Sequence, residues 1–355
     1  MSAARRSGRL LAAFLAGLLG ALMLAACGSA GAKTSTGFSR TGTAGATGSI
    51  RTGTSTAGDS ATAHTTSATT PASSSSPVSR VAIPLARTSS GPSGTSTVTI
   101  TSQGRSRTFL LDAPSGAGQH PLVLVFHGAE DTAAHTIGET DFSTLAAEKG
   151  WIIVYPQGVD DTWNEGAGNT PAHAAGVDDV FFTQQILRYV EAHDAVDRRR
   201  IAAVGESNGA LLAELLGCRI ASQLTLIVPI EGQLPTSVSP GCAPSRPVSV
   251  FEVHGTADAS IPYGGGHFNG IGGGTTVLSA PASARRWATL DRCRTGSPSS
   301  RSSGSSTFTS YSGCNSGASV VLDTIHGGVH EWTPGIALLV SAQFSAHPGR
   351  PAVTP

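Results

Sequence analysis

The chain has 355 residues, and its 23 Lys and Arg balance its 23 Asp and Glu to a formal net charge of zero. That balance, with no basic stripe along the sequence, excludes nucleic acid as the expected partner.

Arg5, Arg6 and Arg9 precede an apolar run from Leu10 to Leu24, which ends in Leu24-Ala25-Ala26-Cys27. A positive head, a short apolar run and small residues before a cut form the pattern of an export signal. The run is too short, and too directly followed by polar sequence, for a permanent span. With a cysteine at the cut, residues 1–26 resemble a bacterial lipoprotein signal, which would make Cys27 the lipidated first residue of the mature chain. Each buried methylene of such an anchor contributes about 0.8 kcal/mol. The protein is therefore expected on the outer side of a membrane, or released from it.

Residues 27–94 are Ser, Thr, Ala and Gly with scattered Pro and very few large apolar side chains. Such a segment cannot bury enough apolar surface to offset the entropy of ordering, so a disordered tether is expected. As a flexible coil it would reach roughly 45 Å. Residues 95–347 form the expected folded domain, about 250 residues and enough for one large core; residues 348–355 are a short tail.

Within the domain, Val98-Thr99-Ile100 and Thr108-Phe109-Leu110-Leu111 flank Gln103-Gly104 and read as an opening antiparallel hairpin. Pro121 to Phe126 is an uninterrupted apolar run, suited to a strand covered on both faces, and it ends in His127-Gly128-Ala129. A helix over Phe142 to Lys149 is stopped by Gly150, and Trp151 to Tyr155 is a second buried strand. After a loop containing Trp163-Asn164, Asp178 and Asp179 open a helix as capping and dipole partners. Phe182, Ile186 and Val190 then fall on one face of it. Arg198-Arg199-Arg200 reads as a solvated loop before the strand Ile201 to Val204, which leads to Gly205-Glu206-Ser207-Asn208-Gly209 and the helix Ala210 to Leu216. Strands follow at Leu224 to Ile230 and at Val248 to Val253, the latter running into His254-Gly255-Thr256-Ala257-Asp258. A helix over Ala282 to Leu290, a Ser/Gly-rich insertion, a last strand Ser319 to Ile325 and a closing helix Gly335 to Phe344 complete the chain. Alternating strands and helices indicate a mostly parallel sheet flanked by helices, with reactive groups gathered at the strands' carboxyl ends.

Besides Cys27 there are Cys218, Cys242, Cys293 and Cys314, an even number in an exported chain, which favours disulfides. Of the three pairings, Cys218 with Cys242 and Cys293 with Cys314 each close a short segment rich in Gly, Ser or Pro. No Cys-x-x-Cys occurs, which argues against structural zinc.

Gly205-Glu206-Ser207-Asn208-Gly209, placed between strand and helix, has the context of a nucleophile elbow, in which a tight turn pushes Ser207 above the sheet. A serine hydroxyl needs an imidazole to take its proton and an acid to orient that imidazole. In the α/β-hydrolase fold these follow in the order Ser, acid, His. Ser207, Asp258 and His330 satisfy that order, each just after an expected strand. Asp323 is the rival acid, but it sits inside the last strand and close in sequence to His330. His326 is the rival base; Gly327-Gly328 gives the later His330 the freedom to fold back over the sheet. His127 and His254, each followed by Gly at a strand end, are read as shaping turns. The glycines between His326 and His330 also argue against a helical metal pair. The oxyanion calls for the backbone N–H groups of Asn208 and Ala129. No metal or cofactor is expected.

The ordered set His127-Gly128, Tyr155-Pro156, Trp163-Asn164, Val177-Asp178-Asp179-Val180, Gly205 to Gly209, His254 to Asp258 with Pro262-Tyr263, and Gly327 to Trp332 resembles the esterases of the polyhydroxybutyrate depolymerase and feruloyl esterase type. The resemblance runs from about Pro121 to Gly335. It implies an α/β-hydrolase fold without a metal, a triad of Ser207, Asp258 and His330, and the same two disulfides. The expected substrates are short hydroxyacyl oligomers, or hydroxycinnamoyl and acetyl esters of polysaccharide, with Trp163 and Trp332 lining the pocket. The pattern departs from that type around Val329, Thr333 and Ala210, which bears on substrate more than on mechanism. The alternatives are a serine peptidase of related fold and a catalytically silent surface-binding lipoprotein.

Overall fold

The computed structural model describes residues 86–88, 95–271, 273–346 and 352. The chain divides into two units, Met1–Ala82 and Ile83–Pro355, and every described residue lies in the second. The expected signal segment 1–26, Cys27 and most of the tether lie outside the described residues, as does the 348–355 tail apart from Ala352.

The strands are β1 (Ala86–Thr88), β2 (Ser96–Ser102), β3 (Arg105–Asp112), β4 (His120–Phe126), β5 (Ile152–Pro156), β6 (Val196–Glu206), β7 (Leu226–Ile230), β8 (Ser249–Gly255), β9 (Gly266–Gly270), β10 (Gly273–Val277), β11 (Ser299–Ser303), β12 (Ser306–Tyr311) and β13 (Val320–Ile325). The α-helices are α1 (Ala133–Glu139), α2 (Phe142–Lys149), α3 (Pro171–Ala174), α4 (Asp179–His193), α5 (Asn208–Arg219), α6 (Ala280–Leu290) and α7 (Ile336–Ala346). The large sheet runs β1-β2-β3-β5-β4-β6-β7-β8-β13-β12-β11. From β5 through β4, β6, β7 and β8 to β13 every pairing is parallel; the pairings outside that run are antiparallel. This is the expected α/β-hydrolase arrangement, with the opening hairpin β2–β3 at one flank.

Period-two alternation sorts the central side chains between two layers. Leu122, Leu124 and Phe126 of β4 pack with Phe182, Ile186 and Val190 of α4, Leu212 and Leu216 of α5, and Trp287 of α6. Val123 and Val125 face the other way, onto Ile137 of α1, Leu145 of α2 and Val340 and Phe344 of α7. Gly150 takes φ 64 as the left-handed cap of α2, and its N–H returns to Ala146 O.

Several elements differ from expectation. Ala86–Thr88 lies inside the stretch expected as tether, yet it pairs antiparallel with β2. Arg198 to Arg200 are strand, because ion pairs with Glu191 and Asp197 neutralise them and leave their backbone free to pair. Asp178 caps α4 through the Phe181 N–H, as expected. Asp179 does more, since it is buried, ion-pairs with Arg107 at 2.7 Å and accepts the Asn164 N–H. The Ser/Gly-rich insertion folds as the hairpin β11–β12, which extends the sheet beyond β13. The pairings Cys218–Cys242 and Cys293–Cys314 are both formed.

Candidate active site

Four parallel strands end beside one another and carry the site. β4 runs into His127-Gly128-Ala129, β6 into Ser207, β8 toward Asp258, and β13 toward His330. Ser207 takes φ 55 and ψ −119, a conformation rare for any residue with a Cβ. The turn is fixed by its N–H donating to Ile230 O at 2.9 Å and by its own carbonyl accepting from Ala210 and Leu211. The flanking glycines are required sterically. A Cβ on Gly205 would lie 2.2 Å from Gly209 O, and one on Gly209 would lie 2.3 Å from Phe126 O. The second contact also presses the end of β4 against the start of α5. That brings the loop bearing Ala129 next to the Asn208 amide, in a first helical turn whose N–H groups have no intrahelical partner.

Asp258 Oδ2 receives His330 Nδ1 at 2.8 Å. Its Oδ1 accepts the Ser260 and Ile261 N–H groups at 2.7 and 2.9 Å, and His254 Nε2 stands 3.2 Å from Oδ2. Burial alone would raise this carboxyl; the hydrogen bonds from His254, His330 and the Ile261 amide outweigh it and hold Asp258 well below the usual carboxylate range. Burial would likewise lower His330, but the Asp258 hydrogen bond and the charges of Glu206 and Asp258 prevail and raise it. The other ring nitrogen, Nε2, faces Glu206 Oε1 at 3.2 Å rather than the hydroxyl of Ser207.

Ser207, Asp258, His330, Asn208 and Ala129 are thus gathered at one end of the sheet. Trp163 is not at its surface. Its ring is fully buried, edge-on to Phe126, and its Nε1–H donates to His127 O while its backbone N–H donates to Asn208 Oδ1. The expectation that it lines a pocket is therefore corrected: Trp163 braces the β4 loop against α5 from inside. Trp332 is half-buried against the layer that holds α1 and α7. Asp323 lies buried in β13, opposite Val253 of β8, and His326 Nε2 bonds Thr307 on β12. His127 has the turn-shaping role expected of it, with Nδ1 on Gly128 O and Nε2 accepting the Gly158 N–H.

Three residues escaped the reading of the sequence. Glu206, directly before the serine, contacts His330. His254 supports Asp258 from four residues earlier while its Nε2–H also reaches Ile261 O at 2.9 Å. Glu231, at φ 50 after β7, accepts the Gly255 N–H at 3.0 Å, and burial raises its carboxyl far above the ordinary range. The spacing of His254 and Asp258 was a usable signal, as was the position of Glu206; nothing local marks Glu231. Asp131, His135 and Glu139 each place a ligating atom within 4.8 Å of the others, as do Glu231, His254 and Asp258. Hydrogen bonds account for both groups, the first through Asp131 at the start of α1.

No family model matches the chain. Feruloyl esterase B of Piromyces equi is 29% identical over 217 residues, covering 59% of this chain and 39% of its own. A bifunctional acetylxylan esterase/xylanase of Neocallimastix patriciarum is 29% identical over 162 residues, covering 45% and 23%. The putative esterase NocK of Nocardia uniformis subsp. tsuyamanensis is 26% identical over 251 residues, covering 65% and 72%. The chain is similar to esterases of the feruloyl esterase type. It spans less than half the length of the first two of these relatives. Their likeness falls on a chain whose sheet order, strained serine and Asp258–His330 pair are those of an α/β-hydrolase site.

Proposed function

We propose that the chain is a serine hydrolase of carboxylic esters that works through an acyl-enzyme. The observation that carries this reading is the Asp258–His330 hydrogen bond of 2.8 Å beside a serine held at φ 55. Ser207 Oγ attacks the ester carbonyl while its proton passes to His330 Nε2. Asp258, kept ionised by its N–H donors, fixes the imidazole through Nδ1–H and stabilises the imidazolium that forms. The N–H groups of Asn208 and Ala129 receive the oxyanion, a type of contact worth about 3 kcal/mol. His330 then returns the proton to the departing alcohol. Water, deprotonated by the same nitrogen, attacks the acyl-serine and releases the acid.

The named activities of the relatives favour hydroxycinnamoyl or acetyl esters of polysaccharide as substrates, with short hydroxyacyl oligomers beside them. The two disulfides suit an oxidising compartment outside the cytoplasm, and the Arg-rich head, apolar run and Cys27 suit export with a lipid anchor. Among the described residues no helix is long and apolar enough to cross a membrane. Hydrolysis of p-nitrophenyl acetate by the wild type and by Ser207→Ala tests the chemistry; equal rates would remove the hydrolase reading. A panel of acetyl, feruloyl and 3-hydroxybutyryl esters assigns the acyl group. Release of radiolabelled glycerol-derived lipid with Cys27, abolished in Cys27→Ala, tests the anchor.

A further inference from the structure

The His330 imidazole meets a carboxyl group at each ring nitrogen, Asp258 Oδ2 at Nδ1 and Glu206 Oε1 at Nε2. The second contact occupies the nitrogen that the hydrolase reading requires for Ser207. An imidazole nitrogen and a carboxylate oxygen 3.2 Å apart attract only when a proton lies between them, carried either by the ring as imidazolium or by the carboxyl as an O–H donor. Without that proton two lone pairs face each other.

Glu206 is held where it can play this part. It is the last residue of β6, in the chain next to Ser207, and it is buried. Its Oε2 rests so close to Gly128 that a Cβ there would lie 2.4 Å away, so the carboxyl is seated against the loop after β4. Burial first, and then the charges of Glu139 on α1, Asp131 before α1 and Asp258, raise it to about 7 against the lowering effect of His330. Behind Asp258 stand His254 and Glu231. The acidic groups around the pair all favour keeping the proton.

We propose that Glu206 is a positioning residue that shares one proton with His330 Nε2, holding the imidazole away from Ser207 until that proton leaves. The proposal rests on the serine hydrolase reading. When the proton passes to solvent water, Nε2 is left with its lone pair and Glu206 with its negative charge. The contact turns repulsive, and the ring moves to the neighbouring hydroxyl, from which it can accept a hydrogen bond as attack begins. The acid side of the rate profile therefore reports the Glu206–His330 pair rather than a histidine paired with Asp258 alone.

The test follows the Cε1 resonance of 13C-labelled histidine through a pH titration in wild type, Glu206→Ala and the near-isosteric Glu206→Gln, with His330→Gln assigning the signal. The pH profile of kcat/KM for p-nitrophenyl acetate is measured in parallel. Removing a carboxylate in contact with an imidazole is expected to lower its midpoint by about one unit or more. The acid limb should move with it, so that kcat/KM at pH 6, relative to its plateau, rises about tenfold. A midpoint or an acid limb that stays in place in both variants overturns the proposal. The titration does not depend on turnover, so a Ser207→Ala enzyme as active as wild type would remove the hydrolase reading while the His330 midpoint still decides whether Glu206 holds the shared proton.

Discussion

Asp323→Asn should stabilise the protein at neutral pH without slowing ester hydrolysis. Asp323 is buried in β13, between β8 and β12, and its Oδ1 meets no hydrogen-bond donor. Burial raises its carboxyl from 3.8 to about 6, with only a hydrogen bond from Ser306 opposing the shift. In the unfolded chain the group ionises near its ordinary value. The protonated carboxyl's contribution to stability is thus fully present below 3.8 and is lost as pH rises through the folded value. Each unit of difference is worth about 1.4 kcal/mol, so the wild type carries a penalty of about 3 kcal/mol above pH 6 that asparagine lacks. Urea unfolding of both proteins at intervals from pH 4 to pH 8 measures the difference. The advantage of the variant should grow by about 3 kcal/mol between pH 4 and 6 and then level off. A difference that does not change with pH would refute the reasoning, and a large loss of turnover at pH 8 would return Asp323 to the position of catalytic acid.

Asp258→Asn should lower kcat about 10⁴-fold while leaving the fold intact, because it removes the anion that fixes the His330 tautomer and stabilises its cation; steady-state kinetics with unchanged turnover would count against the triad. Gly209→Ala places a Cβ 2.3 Å from a main-chain oxygen that cannot step aside, and a loss of about 3 kcal/mol or more is expected in thermal or urea unfolding. An alanine variant as stable as wild type would mean that α5 is not pressed on β4. Arg107→Ala leaves the buried Asp179 carboxylate without its 2.7 Å partner, and should cost about 3–5 kcal/mol. Calorimetry showing an unchanged melting temperature would contradict that.

The order of the central strands and the sequence positions of Ser207, Asp258 and His330 were legible because they depend on local signals: apolar runs, the glycines of a tight turn, and residues placed just past strand ends. The same signals misled where tertiary pairing decides. Arg198 to Arg200 look like a solvated loop until Glu191 and Asp197 neutralise them, and Ser299 to Tyr311 lacks an apolar period because β11 and β12 extend the exposed rim of the sheet. Trp163 was misread for a related reason. A tryptophan in a loop near a site suggests a pocket wall, and only the fold reveals that its indole N–H is spent on His127 O. Glu231 had no sequence signal at all, since its effect on Asp258 crosses from the end of one strand to the loop after the next.

Why Asp258, among so many buried acids, is suited to orient His330 follows from what each carboxyl meets. Glu165, Glu206 and Asp323 are all buried and all raised, to about 7, 7 and 6, with burial as the largest cause. Glu214 and Glu252, in the layer beneath α5 and α6, are raised for the same reason. Asp258 suffers the same burial and moves the other way, because two backbone N–H groups and two imidazoles converge on its oxygens. A carboxylate must stay charged to stabilise an imidazolium, and only a site with that many donors keeps it so in a dry environment. His254 and the turn Ser260-Ile261 therefore serve the chemistry without touching substrate. They make Asp258 a permanent anion, and the same burial that raises Glu206 leaves it able to exchange a proton near neutral pH. One end of the sheet thus carries a fixed charge on one side of His330 and a changeable one on the other, and the difference lies in the count of N–H donors.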